Sequence, residues 1–128
     1  MSAEIQDTHF TQLLGRYPNA SRLTLKSGAS LITVPAISLP AGWSATETPV
    51  RFIISSEYPY ACPDCFYGDE GLCLAGGGNP QNSAENPIPE THQKGRWFSW
   101  HVHDRWNSKR DNLLTWMACI TDRLRRAR

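Results

Sequence analysis

Residues 58–74 read Tyr58-Pro59-Tyr60-Ala61-Cys62-Pro63-Asp64-Cys65-Phe66-Tyr67-Gly68-Asp69-Glu70-Gly71-Leu72-Cys73-Leu74, and Ala75-Gly76-Gly77-Gly78 follow. Pro59, Pro63 and the Phe-Tyr-Gly after Cys65 argue for extended, irregular chain and against a helix. Cys62 and Cys65 form a C-x-x-C pair with three competing readings. A zinc half-site needs further ligands, and the candidates are Cys73, His92, His101 and His103. A redox pair would want its first cysteine opening a helix after a strand. The third reading is two incidental cysteines in a packed loop. Asp64, directly after Pro63, is expected to cap main-chain amides of that loop. Cys73 is different. A short apolar segment delivers it after the acidic turn Gly68–Gly71, and three glycines let another backbone approach closely. A thiol that accepts a bulky acyl group needs that openness. A cysteine in a short strand before a flexible loop would look the same.

Toward the N-terminus, residues 5–17 place Ile5, Phe10, Leu13, Leu14 and Tyr17 at helical spacing, so one amphipathic helix ending near Pro18 is expected. Residues 23–40 read as two strands around Ser27-Gly28, and Pro40-Ala41-Gly42 as a turn. Residues 48–59 form the next strand, with Val50, Phe52 and Ile54 on one face.

Toward the C-terminus, residues 75–95 are rich in Gly, Asn, Pro, Ser and Glu, which predicts a loop long enough to carry function. Arg96 to Trp106 then concentrates aromatic rings, expected to be mostly packing. A final helix over 110–126 repeats Leu113, Leu114, Met117, Ile120 and Leu124, with Asp111 as its N-cap. Cys119 sits on that apolar stripe as a small hydrophobe. Arg123, Arg125, Arg126 and Arg128 read as a solvated last turn, favoured by the helix dipole, or as a docking surface for an acidic partner.

The chain has 128 residues, 40% hydrophobic and 20% charged, which suits one globular domain over 1–128. A net charge of +1 argues against a dedicated nucleic-acid binder. No apolar run reaches a membrane span, and no secretory signal is visible, so a reduced, cytoplasmic setting is expected. The order helix, antiparallel β-meander, long irregular flap, helix is that of an α+β domain.

The order strand, Tyr-Pro, loop, Gly-x-Cys-Leu, long loop, Trp, helix resembles a ubiquitin-conjugating-enzyme-like fold, with Gly71-Leu72-Cys73-Leu74 around the thiol. More closely, the chain resembles the prokaryotic ubiquitin-conjugating-enzyme-like family E. The residues that carry this are Leu39-Pro40-Ala41-Gly42-Trp43, Tyr58-Pro59, Pro63-Asp64-Cys65-Phe66, Trp97-Phe98-Ser99-Trp100-His101, Trp106 and Asp111, over roughly residues 30–124. The His-Pro-Asn of eukaryotic conjugating enzymes is missing; Tyr67-Gly68-Asp69-Glu70 stands there instead. His101 matches a family histidine that follows the cysteine.

The resemblance implies that Cys73 accepts a ubiquitin-like protein as a thioester from a ubiquitin-activating-like enzyme, then passes it to an amine or hydroxyl of a target protein. It implies a bacterial conjugation pathway, and its family context suggests antiphage defence or stress. No cofactor is needed in this chain, because ATP is consumed upstream. His101 is the first candidate for base or oxyanion donor, with Ser99, Asn79 and Asn82 as further candidates; His101 packed among Trp97, Trp100 and Trp106 to orient the flap is the alternative. His103 is expected at the surface. Trp97, Asp64 and Asp111 are supporting residues. Two other readings compete: a non-catalytic binding module or scaffold of the same fold, and an unrelated small zinc protein built on Cys62, Cys65, Cys73 and one histidine.

Overall fold

The computed structural model describes residues 2–102 and 105–128, with side chains from Glu4 onward. Helix α1 spans Ser2–Arg16 and helix α2 spans Leu113–Leu124. Between them run β1 (Ser21–Thr24), β2 (Ser30–Ser38), β3 (Glu47–Ile54), β4 (Cys65–Gly68), β5 (Ser83–Pro87) and β6 (Lys94–Ser99). They form one six-stranded antiparallel sheet in the order β1-β2-β3-β4-β6-β5. The α+β architecture expected from the sequence is therefore present.

Alternation along the strands decides which face is which. Ile32, Val34, Val50, Phe52, Ile54, Phe66 and Phe98 are buried on the helix side, where Leu13 of α1 and Leu113, Trp116, Met117 and Ile120 of α2 meet them. Phe66 stacks on Phe98 at 4.7 Å. The opposite face holds a smaller cluster of Leu25, Leu31, Tyr67 and Ile88, with Ile53, Cys65 and Trp97 against it. Pro35 is tolerated because β2 breaks register between Val34 and Ile37, where Ala36 takes φ 62°.

Two expectations change. The polar stretch 75–95 is not wholly irregular: β5 and the start of β6 lie within it, with Glu85 opposite Arg96 and Asn86 opposite Gly95. Its Asn, Pro and Glu hide a strand because β5 is an edge strand, half in solvent. The region after Pro59 likewise contains β4, a strand of four residues. The helix cap also moves. Asn112, not Asp111, caps α2: its side chain accepts from the Leu114 and Thr115 amides, and Thr115 Oγ1 accepts from Asn112 N–H. Asp111 instead closes the turn before the helix, accepting from Asn107 N–H at 2.7 Å.

Arg123 is the largest departure. It is not a solvated cation: only 4% of it is exposed. Its guanidinium carbon lies 5.8, 5.1 and 5.6 Å from the ring centroids of Trp43, Phe98 and Trp100. Its nitrogens donate to main-chain oxygens of Arg126, Gln81 and Arg128 at 2.9, 3.0 and 2.7 Å. Three acceptors and three π-faces compensate the desolvation. Arg125, Arg126 and Arg128 are exposed, as the solvated reading requires. Gln6 is a second buried polar group, donating to Ser55, Ser56 and Tyr58 oxygens and so tying α1 to the Tyr-Pro loop.

These contacts set two stability tests. Arg123→Ala strips donors from buried oxygens and leaves a void among three rings, so urea unfolding should show a loss of about 2–4 kcal/mol. Arg126→Ala should stay within about 0.5 kcal/mol; equal effects would return Arg123 to the surface. For Asp111, the Arg110 hydrogen bond and the Asn107 N–H hold the carboxyl below its usual value. A depressed carboxyl contributes stability that is full above its unfolded pKa, about 3.9, and is lost as pH falls through the folded value. Wild type should therefore lose more stability between pH 6 and pH 3 than Asp111→Asn does.

Candidate functional site

The Cys73 segment leaves β4 at Gly68 and crosses the helix-side end of the sheet. Its path is fixed by polar contacts on both flanks. Leu72 N–H donates to Asp69 O at 3.1 Å, closing the acidic turn, and Gly71 N–H donates to Glu85 Oε1 at 2.8 Å. Leu72 is buried, and its carbonyl accepts from Nε of Arg96 at 2.8 Å. Arg96 is itself buried and meets Glu85 at 3.5 Å. The strand pairing Glu85↔Arg96 thus reaches the residue next to the thiol.

The other flank is the segment after the Leu39-Pro40-Ala41-Gly42 turn. Trp43 and Leu74 form an antiparallel bridge. Ala75 N–H donates to Gly42 O, Ser44 N–H to Cys73 O, both at 2.8 Å, and Cys73 N–H to Ser44 Oγ at 3.1 Å. The bed is itself anchored: the Trp43 indole N–H donates to Leu124 O at 2.8 Å. Gly42 has φ +107°, and a Cβ there would stand 2.6 Å from Ala127 Cβ, so no other residue fits. Beyond Cys73, Leu74 N–H donates to Gly78 O and Gly77 N–H to Leu74 O, closing a tight turn. A Cβ built on Gly76 or Gly77 would meet nothing within 4 Å. Cys73 is half-buried, with open space on the glycine side.

The remaining candidates separate into groups. Asn82, Ser99, Trp100, His101 and Val102 line one depression of about 440 Å³, and Cys73 is not among its lining residues. Ser99 N–H donates to Asn82 O at 2.9 Å, so Asn82 (φ 58°) is fixed against the end of β6. His101 is exposed. It is therefore not buried in an aromatic cluster; Trp97 lies on the opposite face of the sheet, and Trp106 is anchored elsewhere, its indole N–H donating to Pro59 O at 2.7 Å. Asn79 is exposed on the loop after Gly78. His103 lies outside the described residues.

Asp64 and the C-x-x-C pair stand on the far face. Asp64, Cys62 and Cys65 line a depression with Tyr67, Pro89 and Glu90. Among the described residues Asp64 caps no main-chain amide; it lies beside the Cys65 thiol, whose pKa is raised from its ordinary value chiefly by burial and further by the nearby Asp64. Cys62, Cys65 and Cys73 do not converge: among the described residues no three His, Cys, Asp or Glu side chains could share a metal ion. Cys119 is half-buried against the core, as a small hydrophobe would be.

Ser44, Glu85, Arg96 and Arg123 are the site residues the sequence did not reveal. Ser44 directly follows the Leu-Pro-x-Gly-Trp run, but its pairing with Cys73 depends on a contact across 29 residues. Arg96 and Glu85 carried no signal beyond their charge.

No helix is long and apolar enough to cross a membrane among the described residues. No curated protein and no solved structure matches the chain. The sequence does match the family described as prokaryotic E2 family E over residues 22–127, a span that runs from β1 through the end of α2 and contains every element around Cys73. That association points to ubiquitin-like conjugation, with an activating enzyme and a ubiquitin-like protein as general partners. A thiol delivered on a doubly pinned loop, in a sheet flanked by helices, over a match of this extent, means that the chain belongs to prokaryotic E2 family E.

Proposed function

We propose that this protein is a conjugating enzyme that carries a ubiquitin-like protein as a thioester on Cys73 and delivers it to an amine or hydroxyl of a target protein. The observation that carries the reading is the state of Cys73: a half-buried thiol on a rigid segment, with three exposed glycines beside it. A tail ending in a carbonyl can approach across Gly76 and Gly77, where no side chain intrudes. Rigid placement of the sulfur converts an encounter into a near-unimolecular reaction.

In the first step the Cys73 thiolate attacks the thioester carbonyl held by the activating enzyme. The C–S bond to Cys73 forms and the activating enzyme's thiolate leaves. In the second step an acceptor amine attacks the Cys73 thioester, and the amine proton must be removed. His101 is the residue assigned to that removal. It is exposed at the end of β6, beside Asn82 and Ser99, where an incoming amine would meet it before any buried group. Work in a bacterial cytoplasm, in a pathway of antiphage defence, is part of the same proposal.

A second reading is a scaffold that binds the activating enzyme and the ubiquitin-like protein without a thioester. The depression that His101 lines does not include Cys73, which favours it. A charging reaction with the cognate activating enzyme, ubiquitin-like protein and ATP separates the two. Wild type should form an adduct that reductant cleaves, and Cys73→Ala should form none. His101→Ala should charge normally but transfer to an amine roughly a hundredfold slower. No adduct with a demonstrably active upstream enzyme establishes the scaffold; unchanged transfer in His101→Ala removes the histidine from the mechanism.

A further inference from the structure

Attack on a thioester moves the carbonyl π pair onto oxygen, and something must hydrogen-bond the oxyanion. Main-chain amides next to the cysteine are the nearest candidates. Here each of them is already engaged: Gly71 N–H with Glu85, Leu72 N–H with Asp69 O, Leu74 N–H with Gly78 O, and Ala75 N–H with Gly42 O. Cys73 N–H donates to Oγ of Ser44 at 3.1 Å. Nε of Arg96 is bonded to Leu72 O, and its Nη2 faces Glu85.

Ser44 is the exception. Its Oγ accepts from Cys73 N–H, and among the described residues its hydroxyl proton donates to nothing. Ser44 is exposed, so that proton is open to solvent, one hydrogen bond away from the Cys73 main chain. A hydroxyl that accepts from an amide N–H becomes a better donor through polarisation. Its position is fixed by its own N–H on Cys73 O at 2.8 Å and by buried Trp43 beside it. We infer that the Ser44 hydroxyl donates a hydrogen bond to the carbonyl oxygen of an acyl group carried on Cys73, and so acts as the oxyanion donor of the transfer step.

The inference rests on Cys73 carrying an acyl group. The acceptor amine forms a C–N bond to the carbonyl carbon, and the π pair moves to oxygen, where Ser44 O–H meets it. Collapse restores C=O and breaks C–S; Cys73 leaves as thiolate, and the amine proton passes to a base or to water. Ser44 gives up no proton, so the step balances without a further reactant. This arrangement also accounts for a site without an asparagine before the cysteine: the donor comes from the segment lying across Cys73, not from the segment preceding it.

The test uses an acetyl group placed on Cys73 by p-nitrophenyl acetate, mapped by mass spectrometry and discharged with free lysine. Ser44→Ala should slow discharge roughly tenfold or more. Ser44→Thr, which keeps the hydroxyl, should restore most of the rate. Alkylation of Cys73 by iodoacetamide develops no oxyanion, so its rate should be unchanged in Ser44→Ala. Equal discharge by Ser44→Ala and wild type would overturn the inference. A parallel loss of alkylation and discharge would overturn it too, because Ser44 would then only position the thiol. The acetyl group requires no activating enzyme, so this result stands or falls apart from the charging reaction.

Discussion

The structure hangs on one buried guanidinium. Arg123 leaves the last turn of α2 and enters a cage of Trp43, Phe98 and Trp100, where it also donates to oxygens of Gln81, Arg126 and Arg128. Those partners come from four separate parts of the chain: the turn before β3, the end of β6, the loop after Cys73 and the residues after α2. No hydrophobic residue could join them in this way, because main-chain oxygens need donors. Leucine or methionine would fill the space and leave three carbonyls facing carbon.

From Arg123 the constraint runs to the thiol through Trp43. The indole that supports Arg123 donates to Leu124 O, and the main chain of the same Trp43 bridges Leu74, the residue after Cys73. On the other side Arg96 reaches Leu72 O from β6. The residues before and after Cys73 are therefore each tied to an arginine, Leu72 directly to Arg96 and Leu74 by way of Trp43, whose ring packs on Arg123. The consequence is a cysteine whose backbone is fixed by the core while its surroundings stay open. That combination suits chemistry between two large proteins, where the small reacting centre must be rigid and the approach unobstructed.

The fold was legible where a periodic pattern was strong. The apolar stripe of α2, the Val50-Phe52-Ile54 face and the turn at Ser27-Gly28 all read correctly, because each reports one buried face. β5 was not legible, since an edge strand needs no apolar alternation, and neither was the four-residue β4. The cap moved by one residue because Asp111 and Asn112 are both good caps, and only the reciprocal bond from Thr115 decides between them. Arg123 misled for a different reason. A cation in the last helical turn satisfies the dipole rule whether it faces solvent or core, and its aromatic partners lie 80, 25 and 23 residues away. Cys73 itself was visible through its glycines and the Gly-Leu-Cys-Leu run, whereas Ser44 was visible only as the residue after a turn.

The division of the site into two regions has a chemical logic. Cys73 and Ser44 share one rigid clamp, while Asn82, Ser99 and His101 share a separate depression at the end of β6. The proposed thioester transfer would make different demands on these two places. The sulfur and the oxyanion donor must be fixed relative to each other, because the C–O⁻ that forms is anchored through Cys73. The group that takes the amine proton must be fixed relative to the incoming acceptor, which approaches from solvent and belongs to another molecule. A base packed against the thiol would compete for the thiol proton and crowd the ubiquitin-like tail. On that reading, an exposed histidine in a depression that Cys73 does not line, beyond a strand end pinned by Ser99 N–H on Asn82 O, avoids both problems. On the proposed reading, a sulfur held by the core and a base that meets the acceptor from solvent have no need to share one depression.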